Sequence, residues 1–356
     1  MSTVCPTFGC LVCVQPPATN QFRASLLVII LASCAAAVLL VAAPQTCEAT
    51  PGPDSVAVIA NLGHPGAKAL LDDYGTRRHI PQSQRCTVDV KPFIDISAGD
   101  FRNKIALPIL QCLLTGKSLD RIESMVLLRG MPRRVDVQFD GGTLKVALAA
   151  ALSVYRTTIG KAEASILSKA PGFKGLCSDG VQCWAATWKN PYSSGAFGAD
   201  WQRTTGPIAW KLWLVTAIDG YTDADATKLI DAAIASETPD LKAEWLLMKG
   251  ADSARAALDS EYPNVAKQLS GYVPGPVKTE KFDSDLVGRH LMAFVTGTAK
   301  LGKTIEGNTF AAGALVDNLT SLGAVPTNFN APEIGGQQAQ VSVSRWVRAG
   351  ATGVHG

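Results

Sequence analysis

The chain has 356 residues, 47% of them hydrophobic and 18% charged, with a formal net charge of +3. That composition belongs to a folded globular protein, and removal of a leader would leave about 300 residues, room for one large domain or two smaller ones. The basic residues are scattered, with Arg77-Arg78 and Arg133-Arg134 the densest spots, which excludes nucleic acid as an implied partner.

From Ser25 to Ala43 the sequence SLLVIILASCAAAVLLVAA carries no charge; Arg23 precedes it and Pro44 follows. Its length is about one bilayer span, and the flanks fit a signal peptide, with small-x-small sites at Val41-Ala42-Ala43 and Cys47-Glu48-Ala49. Cleavage is expected near Ala49, and an uncleaved anchor helix over 25–43 is the alternative. Either reading exports the rest to the periplasm, the cell surface or the medium, with membrane contact only through this segment. Residues 1–49 are thus a leader or anchor with an N-terminal extension, and 50–356 the folded domain.

Of nine cysteines, Cys5, Cys10, Cys13, Cys34 and Cys47 lie in or beside the leader, which leaves Cys86, Cys112, Cys177 and Cys183. An even number suits an oxidising compartment. Cys177 and Cys183 close the short loop LCSDGVQC and are the expected disulfide. Cys86 and Cys112 sit in apolar surroundings and read equally as two buried thiols or as a bridge.

Short β-branched runs then alternate with amphipathic stretches, the pattern of an α/β fold. Strands are predicted at 55–60, 86–90 and 124–128, helices at 64–74 and 105–114. Leu144, Leu148 and Leu152, spaced by four, predict a helix over 142–155. Residues 169–207, rich in Gly, Ser, Pro and aromatics, read as an irregular insertion of the kind that carries function. Beyond it the pattern predicts strands at 210–218, 244–248 and 291–295, and helices at 223–236, 253–269 and 338–349.

Three motifs bear on chemistry. Gly297-Thr-Ala-Lys-Leu-Gly302-Lys303-Thr304 satisfies G-x-x-x-x-G-K-[ST], but a phosphate site needs a helix starting at Lys303. Gly307-Asn308 would break that helix in its first turn, so the segment is read as a Gly-rich turn and a P-loop nucleotide binder is the weakest functional reading. Asp219-Gly-Tyr-Thr-Asp223-Ala-Asp225 gathers carboxylates at a strand end, where open α/β sheets bind ligands. Thr222 or Asp223 there also suits a helix cap. The four histidines, His64, His79, His290 and His355, show no paired metal spacing. The sequence calls for no cofactor and no metal.

Taken in order, VAVIAN at 56–61, YGTRRHIP at 74–81, VLLRGMP at 126–132, KNPY at 189–192, WLVTAIDG at 213–220, FAAGA at 310–314 and WVRAGATGVHG at 346–356 resemble an uncharacterised family of exported bacterial proteins from species that carry exosortase. The family commonly has a basic residue just before a Leu-Asp-Gly, where this chain has Ala217-Ile218. It also continues past the segment matching Gly356 to a late Gly-Asp-Pro, so the chain is expected to be a shortened form. That resemblance implies a distant fold-level similarity to gingipain-type peptidases, and hence a three-layer α/β fold with a mostly parallel, caspase-like or flavodoxin-like sheet. Caspase-like peptidases present their base as a His-Gly at a strand end. His355-Gly356 has that form, which makes His355 a candidate base, Asp219 a supporting carboxylate, and a nucleophile expected after Gly356.

Two functions are therefore expected. The first is a non-catalytic envelope or extracellular protein that contacts a protein partner or glycan through Trp184, Trp188, Tyr192 and Trp201. The second is a caspase-like hydrolase using His355 and Asp219.

Overall fold

A computed structural model describes residues 52–139, 142–155, 202–203, 210–211, 213–238, 240–324 and 340–355. Strand β1, Val56–Asn61, is buried along nearly its whole length, as a Val/Ile/Ala run must be when helices cover both faces of a parallel sheet. It pairs in parallel with β2 (Arg85–Val88) on one side and β4 (Ser124–Leu128) on the other, and β4 pairs in parallel with β9 (Leu214–Ile218). The order of this first sheet is β2-β1-β4-β9.

Two apolar layers flank it. Val58, Ala60, Val126 and Ile218 pack against α1 (Ala67–Arg77) and α4 (Asp223–Ala235). Ala57, Ile59, Met125 and Leu127 pack the other way, against α2 (98–115) and α3 (Leu148–Tyr155). Helix α2 runs over 98–115, with a π-helical stretch Phe101–Ala106 entering the α-helical Leu107–Thr115. Pro108 lies at the start of that last part. A proline there removes an amide and crowds the preceding turn, and the wider π turn gives its ring room.

Cys86 of β2 and Cys112 of α2 form a disulfide with a Cα–Cα distance of 5.9 Å, so of the two sequence readings the bridge is realised. A small sheet forms from β3 (Asp95–Ser97), which precedes β4 in the chain, and from β5 (Arg134–Phe139) and β6 (Gly142–Ala147), which follow it. Here the structure corrects the sequence: residues 142–147 are a strand antiparallel to β5, and only Leu148–Tyr155 is helical. Two two-residue strands, β7 (Gln202–Arg203) and β8 (Trp210–Lys211), pair with each other.

A second parallel sheet has the order β11-β10-β12-β13-β14, from β10 (Glu244–Met248), β11 (Val277–Glu280), β12 (His290–Thr296), β13 (Thr309–Asn318) and β14 (Gly353–His355). Leu246, Met248, Phe294 and Val316 pack under Trp346 of α6 (Val343–Ala349). Helix α5 is confined to Tyr262–Leu269, with Pro263 in its first turn, and the predicted helix from 253 begins as turns. Proline is accepted at a helix start and breaks a helix interior. Mixed α/β content with mostly parallel sheets thus holds. Among the described residues no helix is long and apolar enough to cross a membrane; the 1–49 segment, Cys177–Cys183 and all of the 169–207 insertion except Gln202–Arg203 lie outside them.

Candidate functional site

In the first sheet the chain steps from β1 outward to β2 and then crosses back over β1 to β4, so the topology reverses between β1 and β4. Crevices outside the carboxyl ends of strands at such a reversal are where open α/β sheets bind ligands. Asn61 ends β1, and the loop Arg129-Gly130 follows β4.

Asn61 is fully buried. Its Nδ2 donates to the carbonyls of Val90 (2.9 Å) and Gly130 (2.7 Å), and its Oδ1 accepts from the amides of Gly63 (3.1 Å) and Val90 (2.9 Å). One amide side chain thereby ties three loops together. Gly130 has φ +103°, and a Cβ there would come within 2.4 Å of His64 Cβ. Only glycine enters this backbone region without strain, and its bare face is what lets His64 sit over the strand ends.

The charged groups converge on that point. Arg129, 10% exposed, donates from Nη1 to Asp219 (2.8 Å) and to the Gly220 carbonyl, from Nη2 to the Tyr221 carbonyl (2.6 Å), and from Nε to Asp223 (3.0 Å). The other oxygen of Asp219 accepts from Arg133, and its Oδ1 also takes the Gly220 amide at 2.8 Å. His64 Nε2 lies 2.7 Å from Asp223 Oδ1. Phe93, held at φ 60°, places its ring 4.6 Å from the Arg129 guanidinium, 5.0 Å from that of Arg133 and edge-on to His64. Burial pushes the Arg133 guanidinium down from its ordinary value and the Arg129 charge adds to that, while Asp219 opposes both. Asp223, 44% exposed, is the open member of the group.

Asp219 is therefore where the sequence placed it, at the carboxyl end of β9. The sequence offers no cation beside it at Ala217-Ile218; Arg129 and Arg133, arriving from the loop after β4, supply two. Thr222 is the cap of α4: its hydroxyl accepts from the Asp225 amide at 3.2 Å while Asp225 Oδ2 accepts from the Thr222 amide at 3.0 Å. Asp225 also bonds Arg348 of α6 (3.0 Å), whose guanidinium lies 4.5 Å from the Tyr221 ring. Burial raises the Asp225 carboxyl, but the bonds from Arg348 and Thr222 outweigh it and hold the group below its ordinary value.

His355 ends β14 in the other sheet. Its Nδ1 lies 3.1 Å from Asp317 Oδ1 of β13, its direct neighbour in register, and the imidazole is 88% exposed. Nearby Tyr262 is pushed up to about 12, by burial first and then by the charges of Asp259 and Asp317. The carboxylate that orients His355 is thus Asp317, and Asp219 belongs to the separate cluster on β9. Trp184, Trp188, Tyr192 and Trp201 lie outside the described residues.

The second sheet reverses its topology too, between β10 and β12, and Gly297 sits there. That crevice is filled: the Ala251 amide donates to Gly297 O, and a Cβ on Gly297 would come within 2.0 Å of the Arg255 carbonyl. No helix follows Lys303. The amides a phosphate would need go to protein acceptors, Lys303 N to Asp285 Oδ1 (3.0 Å) and Gly302 N to Ser284 O (2.8 Å). This G-x-x-x-x-G-K-T segment is a turn packed on residues 283–285. Among the described residues no His, Cys, Asp and Glu side chains group as a metal site would need.

Sequence reasoning passed over Arg129, His64 and Asn61. Arg129 had a signal, a lone cation directly after the buried strand SMVLL. Asn61, a polar residue closing VAVIA, had the same one. No protein-family model matches the chain, and searches of curated proteins and of solved structures return no match.

Proposed function

We propose that this is an exported α/β protein that binds a hydroxyl-rich ligand, of the glycan class, at the carboxyl edge of its first sheet. The observation that carries the reading is the convergence of His64, Arg129, Arg133, Asp219 and Asp223 on the topological reversal between β1 and β4. Inside the cluster Arg129 and Asp219 are saturated and act as the frame. Asp223, half open to solvent, and His64 beside it offer an acceptor and an imidazole to ligand hydroxyls. The export segment and the resemblance to exported bacterial proteins support the same setting. In a glycan array with the purified chain, Asp223→Asn and His64→Gln are expected to lower binding at least about tenfold with the fold intact; binding unchanged in both rules the site out.

A second reading, hydrolysis, is favoured by one observation: Asp317 holds Nδ1 of His355 and leaves Nε2 facing solvent, the orientation of a general base. Among the described residues no Cys or Ser hydrogen-bonds this imidazole, so the reading requires a nucleophile from elsewhere in the protein. Peptidase or esterase turnover that is lost in His355→Ala and lowered about 100-fold or more in Asp317→Asn would support it. Turnover independent of His355 would end it.

A further inference from the structure

The Cys86–Cys112 bridge is asymmetric. Cys86 on β2 is 1% exposed and lies in the apolar layer with Ile59, Val88 and Leu113. Cys112 on α2 is partly exposed and lines an open cavity of about 470 Å³, together with Gln82, Ser83, Gln111, Thr115 and Gly116. The cavity is held in shape by the chain around it. Gln84 Nε2 donates to the carbonyls of Pro53 (2.9 Å) and Val56 (2.7 Å), fixing the turn that carries Gln82 and Ser83. Gly116 sits so near that turn that a Cβ would come within 2.3 Å of the Ser83 carbonyl. None of the six lining residues is charged, and most of the surface they present to the cavity is apolar.

We propose that this cavity is a thiol–disulfide exchange site, which admits a cysteine thiolate carried on a short uncharged peptide segment to Cys112. The thiolate sulfur attacks Cys112 Sγ. A new disulfide forms between the incoming sulfur and Cys112, the bond to Cys86 breaks, and its electron pair leaves on Cys86 Sγ, which takes a proton from solvent. The incoming thiol is oxidised to the disulfide level and Cys86 is reduced. Geometry sets the direction, because exchange depends on which sulfur can be reached: an adduct on Cys112 has the cavity to occupy, and Cys86 remains as a small apolar thiol in a core that suits one. A cavity of this size accepts a small ligand, and its uncharged, mostly apolar lining suits an uncharged segment better than one that carries carboxylates.

The test uses the full oxidised chain, with the end-blocked tripeptide Gly-Cys-Gly as probe, glutathione as the charged comparison and peptide mapping by mass spectrometry as readout. Expected are an adduct on Cys112 alone among this pair, slower reaction of glutathione, and a rate about tenfold lower in Gln111→Trp, where access is blocked. An adduct on Cys86, equal rates for glutathione, or an unslowed tryptophan variant each overturn the proposal. Thr115→Trp closes the same mouth from one turn further along and repeats the test if Gln111→Trp does not fold. In Cys86→Ser, Cys112 is expected to alkylate rapidly while the fold persists; slow alkylation in the folded variant also refutes the site.

Discussion

Asn61 shows how much one side chain can organise. Its four hydrogen bonds reach Gly63, Val90 and Gly130, and every one of those partners is a backbone group with few alternatives. Asn61→Ala leaves two amides and two carbonyls to find water in a buried place, and unpaired buried groups are penalised far more than the net worth of the bonds they lose. The expected loss is about 3 kcal/mol in urea denaturation, with the resonances of His64 and Phe93 shifting in NMR because the loops they sit on are released. Arg129 is a different case. Its charge is matched by two carboxylates and its remaining donors by two carbonyls, so it frames the cluster and leaves the exposed Asp223 to meet a ligand.

Helix α4 joins local sequence to the site. Thr222 and Asp225 cap it reciprocally, which fixes the short loop Asp219–Thr222 just before it and so the carbonyls that Arg129 grips. Asp225→Asn removes a charge-assisted bond and weakens the cap, an expected loss of about 2 kcal/mol at neutral pH. The sign of its pH dependence follows from the lowered carboxyl. A depressed folded value contributes stability that is full above the unfolded value, about 3.9, and is lost as pH falls through the folded one. The difference between wild type and Asp225→Asn should therefore shrink below about pH 4, and acid titration of the two denaturation midpoints measures it.

At the same scale the sequence was uneven in what it disclosed. β4 and β10 were predicted at their observed bounds, because continuous apolar runs between turn residues leave no other reading. The segment 142–155 misled because Leu144, Leu148 and Leu152 mimic a helical face, while Asp140-Gly141 between two alternating runs is a hairpin signal that should have outweighed it. β13 was missed because Ala311-Ala312-Gly313-Ala314 carries little β-propensity; tertiary burial between β12 and β14 makes it a strand. Of the site, Asp219 was legible as a carboxylate at a strand end. The partners that define it were not, since Arg129 and His64 stand 90 and 155 residues away (219 − 129 and 219 − 64), and only the parallel order of the sheet brings them together.

For the molecule as a whole, the Cys86–Cys112 bridge spans 26 residues and ties the outermost strand of the first sheet to the helix that covers it. Closing a loop of that length stabilises the fold by about 3.5 kcal/mol in the chain-entropy account. The Cys86→Ser, Cys112→Ser double variant is expected to lose about that amount in guanidinium denaturation, with β2 and α2 the first segments to exchange their amide hydrogens.

Among the described residues the two parallel sheets share no strand pairing, yet α4 and α6 touch, and Arg348 reaches from α6 to Asp225 and across the ring of Tyr221. The same short helix leads through Gly350 straight into β14 and His355. Arg348 and the turn at Gly350 lie at the same, C-terminal end of α6, so the contact with the loop framed by Arg129 sits two residues before the turn that leads into the edge strand, and the two edges are mechanically dependent. A disturbance that frees Tyr221 would reach His355 as a change in the tilt of its strand, so solvent exposure at one edge reports the state of the other.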